Sequence, residues 1–157
     1  MSASRLILAF ICCLLSVPTN AATLQITELQ DVNLGEVPLG TDRVRQRMRF
    51  CVAMNPGGPF QITAFGNQVD GRFVLSNGLG LEQGISFDLY ASSRARGRGR
   101  RLTPGFPLTG LNARPPRPNG ECRPPFVQMR VIVDRNDLRT AGSGRYSAQI
   151  ELTVAPE

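Results

Sequence analysis

Histidine, lysine and tryptophan are all missing from the 157-residue chain, and tyrosine occurs only twice. Without histidine no Ser-His-Asp or Cys-His arrangement can form, and imidazole metal ligands are excluded. Without lysine there is neither a P-loop nor a Schiff base, and the "GLGLEQG" run at 78–84 misses the spacing of a dinucleotide-binding loop. Carboxylates survive this elimination. Asp134 and Asp137, close in sequence, belong to the turn-like stretch "DRNDL", where solvated turn residues are far commoner than acid-base catalysts. The sequence therefore predicts a protein that is not an enzyme and has no cofactor and no metal site. A secreted hydrolase is the weakest alternative, resting on the carboxylates alone.

Long apolar runs are equally scarce. One stretch, Leu6 to Leu15, follows a single arginine and leads through Val17-Pro18 to small residues at Ala21-Ala22. It is too short to span a bilayer, and its order of charge, apolar core and small residues is that of a secretory signal peptide. Residues 1–21 are read as that signal and 22–157 as a single domain, with no transmembrane segment in the mature chain. Cys12 and Cys13 leave with the signal, and "AFIC" lacks the small residue a lipoprotein signal places before its cysteine. Cys51 and Cys122 remain, 71 positions apart, in an oxidising compartment, and are read as one disulfide.

What the mature chain does have is alternation. "VRQRMRFCVAM" places Val44, Met48, Phe50, Val52 and Met54 on one face and Arg43, Arg45, Arg47 and Arg49 on the other. That is a strand buried on one side and wet on the other. "LQITELQDVNLGEV", "FQITAF", "GRFVL", "GISFDLYAS", "VQMRVIV" and "RYSAQIELTV" alternate likewise, separated by turn chemistry such as "NPGGP". No segment keeps a helical period. About seven short strands and no helix predict an all-β fold, an antiparallel sandwich of immunoglobulin-like type. The stretch at 112–126 carries five prolines and is not expected to pair within a sheet. Strict alternation places Cys51 on the arginine face. Either a bulge shifts the register near Phe50, or the disulfide pins the proline-rich stretch to the outside of the sheet.

The ending "AGSGRYSAQIELTV" resembles that of the spore coat protein U-like domain, found in subunits of archaic chaperone–usher pili. The likeness extends to "ATLQITELQDVNLGEVPLGT" as an opening strand and "FCVAMNPGGPFQITAFGN" as the cysteine-bearing strand and hairpin. "ISFDLYAS" is similar to the middle strand and "LTPGFPLTG" to the segment after it. The usual first-strand cysteine is replaced by Leu24 in that neighbourhood. The resemblance implies a pilin-like sandwich lacking its last strand, completed by a strand from a periplasmic chaperone and then by one from a neighbouring subunit. It implies export, passage through the periplasm to the cell surface, and an usher as a further partner. By the family pattern, Tyr146, Ile150, Leu152 and Val154 line the strand-acceptor groove. Cleavage after Ala21 leaves little to donate, which points to a minor or tip subunit if residues 22–30 are the first domain strand, and to a shaft role if they are a free arm.

All eighteen basic residues are arginine, and the formal net charge is +6. Five of them, Arg94, Arg96, Arg98, Arg100 and Arg101, crowd into "SSRARGRGRRL". Export argues against an intracellular nucleic-acid role, and no aromatic residue interleaves the run to stack on bases. The segment reads as an exposed loop, or as a contact for an extracellular polyanion. The second possibility supplies the alternative function: a free-standing secreted sandwich that binds polyanions through this loop.

Overall fold

The computed structural model describes residues 22–37, 41–78, 80, 84–94, 97, 99–124 and 126–157. The signal-peptide reading of residues 1–21 lies outside them. Ten strands and one short helix follow in chain order: β1 (Thr23–Thr27), β2 (Arg43–Asn55), β3 (Gly58–Gly66), β4 (Gln68–Val69), β5 (Arg72–Leu75), β6 (Ile85–Ser92), β7 (Arg100–Leu102), β8 (Leu108–Ala113), β9 (Val127–Asp134), α1 (Arg135–Thr140) and β10 (Ile150–Pro156). The strand pairings are antiparallel. They build a larger sheet in the order β1-β2-β9-β6-β5-β4, with β7 on β6, and a smaller sheet in the order β10-β3-β8.

Alternation dictates which side chains meet between the sheets. On β6, Ile85, Phe87, Leu89 and Ala91 are buried, as are Val127, Met129, Val131 and Val133 on β9. From the smaller sheet, Phe60, Ile62 and Ala64 of β3 close over them without exposed area. Phe73 and Phe87 pack with ring centroids 5.6 Å apart. The inner positions are apolar because a sandwich core admits no water to satisfy polar side chains.

Four elements differ from the sequence reading. The stretch after β9, expected to turn, forms the six-residue helix α1. It carries no helical stripe to detect, and an ion pair fixes it instead: Arg72 donates to both carboxylate oxygens of Asp137 at 2.9 and 2.8 Å, and to Asp88 at 3.4 Å. The hydrogen bonds to Asp137 hold the Arg72 guanidinium above its ordinary pKa. Asp134 pairs with Arg43 instead, so these two carboxylates face different arginines. The others are β4 and β7, which at two and three residues are too short to show alternation, and β8, whose alternation is broken where its register with β3 shifts between Phe60 and Ile62.

Cys51 and Cys122 are joined by a disulfide, with Cα atoms 6.1 Å apart. The register of β2 runs without a shift from Phe50 opposite Val127 to Cys51 opposite Thr27. Cys51 therefore does point away from the main core, and of the two possibilities the second holds. Phe50 through Met54 are all buried, on both faces of the strand. Phe50, Val52 and Met54 enter the core, while Cys51 and Ala53 lie outside that cluster. Against expectation the proline-rich stretch pairs at its start: Asn112 and Ala113 belong to β8, and Arg114 lies beside β2, where the Met54 amide donates to its carbonyl at 3.2 Å and Ala53 bridges it. The disulfide then ties the rest of the stretch to the outer face at Cys51. The stretch sits tightly, since a Cβ at Gly57 would lie 2.7 Å from Pro115 Cδ.

Closing a loop of this length is worth roughly 4 kcal/mol in the chain-entropy estimate. The Cys51→Ala/Cys122→Ala variant should melt about 15 °C below the wild type in thermal unfolding, with residues 114–126 newly open to protease. A melting point within a few degrees of wild type would show that the proline-rich layer holds without its bond.

Candidate functional site

A sandwich with one strand too few should reveal itself in two ways: an unpaired backbone edge, and core-facing side chains that remain partly uncovered along that edge. Both occur on the same side of this fold. Strand β10 pairs with β3 along its whole length, from Ile150 opposite Gly66 to Pro156 opposite Phe60. Among the described residues no strand pairs with its other edge. Its inner positions Ile150, Leu152 and Val154 pack against the core but remain half-buried, whereas the inner positions of neighbouring β3 are closed completely. Close approach at the start of the strand explains Gly66, where a Cβ would come within 2.6 Å of Ile150 Cδ1.

The same incompleteness marks the first half of β2. Its inner positions Val44 and Met48 are half-buried, and Gln46 between them is exposed, although Val131 opposite it on β9 is buried. Among the described residues β1 pairs only with Cys51–Asn55, so the other edge of Arg43–Phe50 has no strand beside it. Val32 and Leu34, from the connection between β1 and β2, also rest half-buried on the core. Apolar side chains are thus left half-covered along β10 on the smaller sheet and along β2 and the β1–β2 connection on the larger one.

Of the residues expected from the sequence, Ile150, Leu152 and Val154 sit together on β10. Tyr146 precedes the strand: it is half-buried against the core, and its hydroxyl donates to the Gly142 carbonyl at 3.0 Å. Gln46, Val44 and Met48 escaped sequence reading as site residues. Their alternation reads as ordinary core, and the one available signal was a polar residue at a core-facing position. Residues 23–27 form the first domain strand and are tied to β2 in register, Thr23 opposite Asn55.

The arginine segment divides. Arg94 is exposed in a turn held by Ser92, whose hydroxyl accepts from the Arg94 amide at 3.0 Å. Arg96 and Arg98 lie outside the described residues. Arg100 and Arg101 are not in a loop: both belong to β7. The Arg100 guanidinium donates to the Thr109 carbonyl of β8, and Arg101 pairs with Asp88 at 3.0 Å. Among the described residues no group of three or more acidic or cysteine side chains could hold a metal ion, and no helix is long and apolar enough to cross a membrane.

Comparison with known protein families and with curated proteins finds no match by sequence. Solved structures do match. A chain from a chaperone–tip adhesin complex, one described as vital for synergistic activation of CFA/I fimbriae biogenesis, superposes with a TM-score of 0.62 at 17% identity, over 85% of this chain and 42% of that one. A chain from the chaperone–tip adhesion subunit pre-assembly complex of archaic chaperone–usher Csu pili of Acinetobacter baumannii gives a TM-score of 0.45 at 18% identity, over 85% and 39%. This chain thus spans less than half the length of either. The first likeness shows the fold: an all-β, pilin-like sandwich of antiparallel sheets.

Proposed function

We propose that the chain is a structural or adhesive subunit of a chaperone–usher surface pilus, of the spore coat protein U-like kind, and that it works by accepting a strand rather than by catalysis. The observation that carries this reading is the unpaired edge of β10 above half-covered Ile150, Leu152 and Val154. An exposed strand edge with apolar side chains beneath it is a template for strand addition: main-chain hydrogen bonds supply affinity and alternate side chains supply register. In this reading residues 1–21 direct export, and a periplasmic chaperone fills the gap first. At the usher, a neighbouring subunit's strand replaces the chaperone's. The pairing of β1 with β2 commits residues 23–27 to the domain's own sheet, which supports a tip or minor position over the repeating shaft.

Periplasmic expression of the full chain with and without a pilus chaperone tests this reading. Soluble monomer should accumulate only with the chaperone. A synthetic strand peptide with alternating apolar residues should then displace it and, at about a hundredfold excess over its Kd, raise the melting temperature by roughly 5–10 °C. A stable monomer obtained without any partner overturns the proposal.

The groove makes a sharper prediction about single residues. Leu152→Ala removes a half-buried side chain, so it should cost the uncomplemented chain less than about 1.5 kcal/mol. Peptide affinity should fall about tenfold or more, because the incoming strand would complete the burial of Leu152. Ile62→Ala, in the closed core, should cost about 2–5 kcal/mol with no selective effect on the peptide. Equal behaviour of the two variants in a peptide titration would place the docking site elsewhere.

A further inference from the structure

The arginines of β2 are not needed by the fold. Arg45, Arg47 and Arg49 stand exposed at alternate positions on the outer face of the larger sheet, about 7 Å apart along the strand. Among the described residues, none of the three lies within salt-bridge distance of a carboxylate. The registers extend this column into a transverse row: Arg47 lies opposite Arg130 on β9, Arg130 opposite Tyr90 on β6, and Tyr90 opposite Arg101 on β7. These four residues occupy one face, with strands about 4.8 Å apart.

Like charges placed directly opposite each other on a sheet are destabilising, and threonine or valine would suit an exposed strand at least as well. Cation–π stacking orders two of the arginines, Arg130 over Tyr90 at 5.3 Å and Arg49 over Phe126 at 5.6 Å. At the exposed Arg49, stacking holds the guanidinium in place while leaving its N–H fork able to meet an anion. The acidic residues of this face are already paired, Asp134 with Arg43 and Asp88 with both Arg72 and Arg101.

We propose that this outer sheet face is a binding surface for an acidic, carboxylate-bearing polysaccharide, with Arg45, Arg47 and Arg49 as its contacts. Planar guanidinium forks in a regular grid match carboxylates repeated along a chain, two parallel N–H···O bonds to each. Tyr90 and Phe126 are already stacked by arginines rather than open to bases. The exposed side chains at its centre are arginines rather than apolar anchors for a lipid bilayer. The face lies on the reverse of the larger sheet from the core, so this inference does not depend on strand addition at β10.

The test is fluorescence-anisotropy titration of the purified chain, held by a chaperone or strand peptide where needed, with labelled polygalacturonate at about 50 and about 200 mM salt. Wild type should bind and weaken at least tenfold at the higher salt. R45Q/R47Q/R49Q should lose at least tenfold in affinity with an unchanged or raised melting temperature, whereas R94Q/R96Q/R98Q should bind within threefold of wild type. Wild-type affinity in the sheet variant overturns the proposal, as does loss confined to the loop variant. Tighter binding of duplex DNA or of phosphatidylglycerol vesicles than of polygalacturonate at the same salt overturns the assignment to polysaccharide.

Discussion

Every buried backbone amide and carbonyl must find a partner, and β10 satisfies this rule along only one of its edges. That asymmetry organises the rest of the molecule. A strand bonded on both sides would roof the inner face of the sandwich. With one side open, burial falls away toward Ile150, Leu152 and Val154 on the smaller sheet and toward Val44, Gln46 and Met48 on the larger. The deeper core, from Phe60 and Ile62 to Val131 and Val133, stays closed, so the opening is confined to one margin.

How this margin could be anticipated depends on what kind of signal each residue carries. Alternation is strong wherever one face is buried and the other wet, and β2, β6, β9 and β10 were legible for that reason. Strand β7 and helix α1 were not, because one has three residues and the other is held by Arg72 to Asp137, a contact between positions 65 apart. The groove was half legible. Its β10 wall follows from the resemblance of the closing strand to a known family. Its β2 wall does not, since Val44 and Met48 carry the same pattern whether or not a strand covers them. Only Gln46, polar at an inward position, hinted that the cover was missing. Cys51 posed a choice that alternation alone left open, and an unshifted register together with burial on both faces resolved it.

Strand β2 also separates two kinds of surface along its length. In its first half, one face carries exposed arginines and the other is only partly covered. In its second half both faces are buried, one by the core and one by the proline-rich layer. The change falls at Phe50-Cys51, where the pairing partner on record passes from β9 to β1. The part of the strand that faces outward is thereby anchored by a part that cannot move.

The disulfide has a mechanical consequence. If the two ends of the domain are pulled apart, tension entering at Cys51 crosses to Cys122 through a covalent bond and bypasses the 71 positions between them, about 240 Å of extended chain. Strands β3 to β8 lie inside that bypass. The backbone of strand β3, to which β10 is bonded, therefore cannot be drawn out, and only the segments outside the bridge can lengthen before a covalent bond must break.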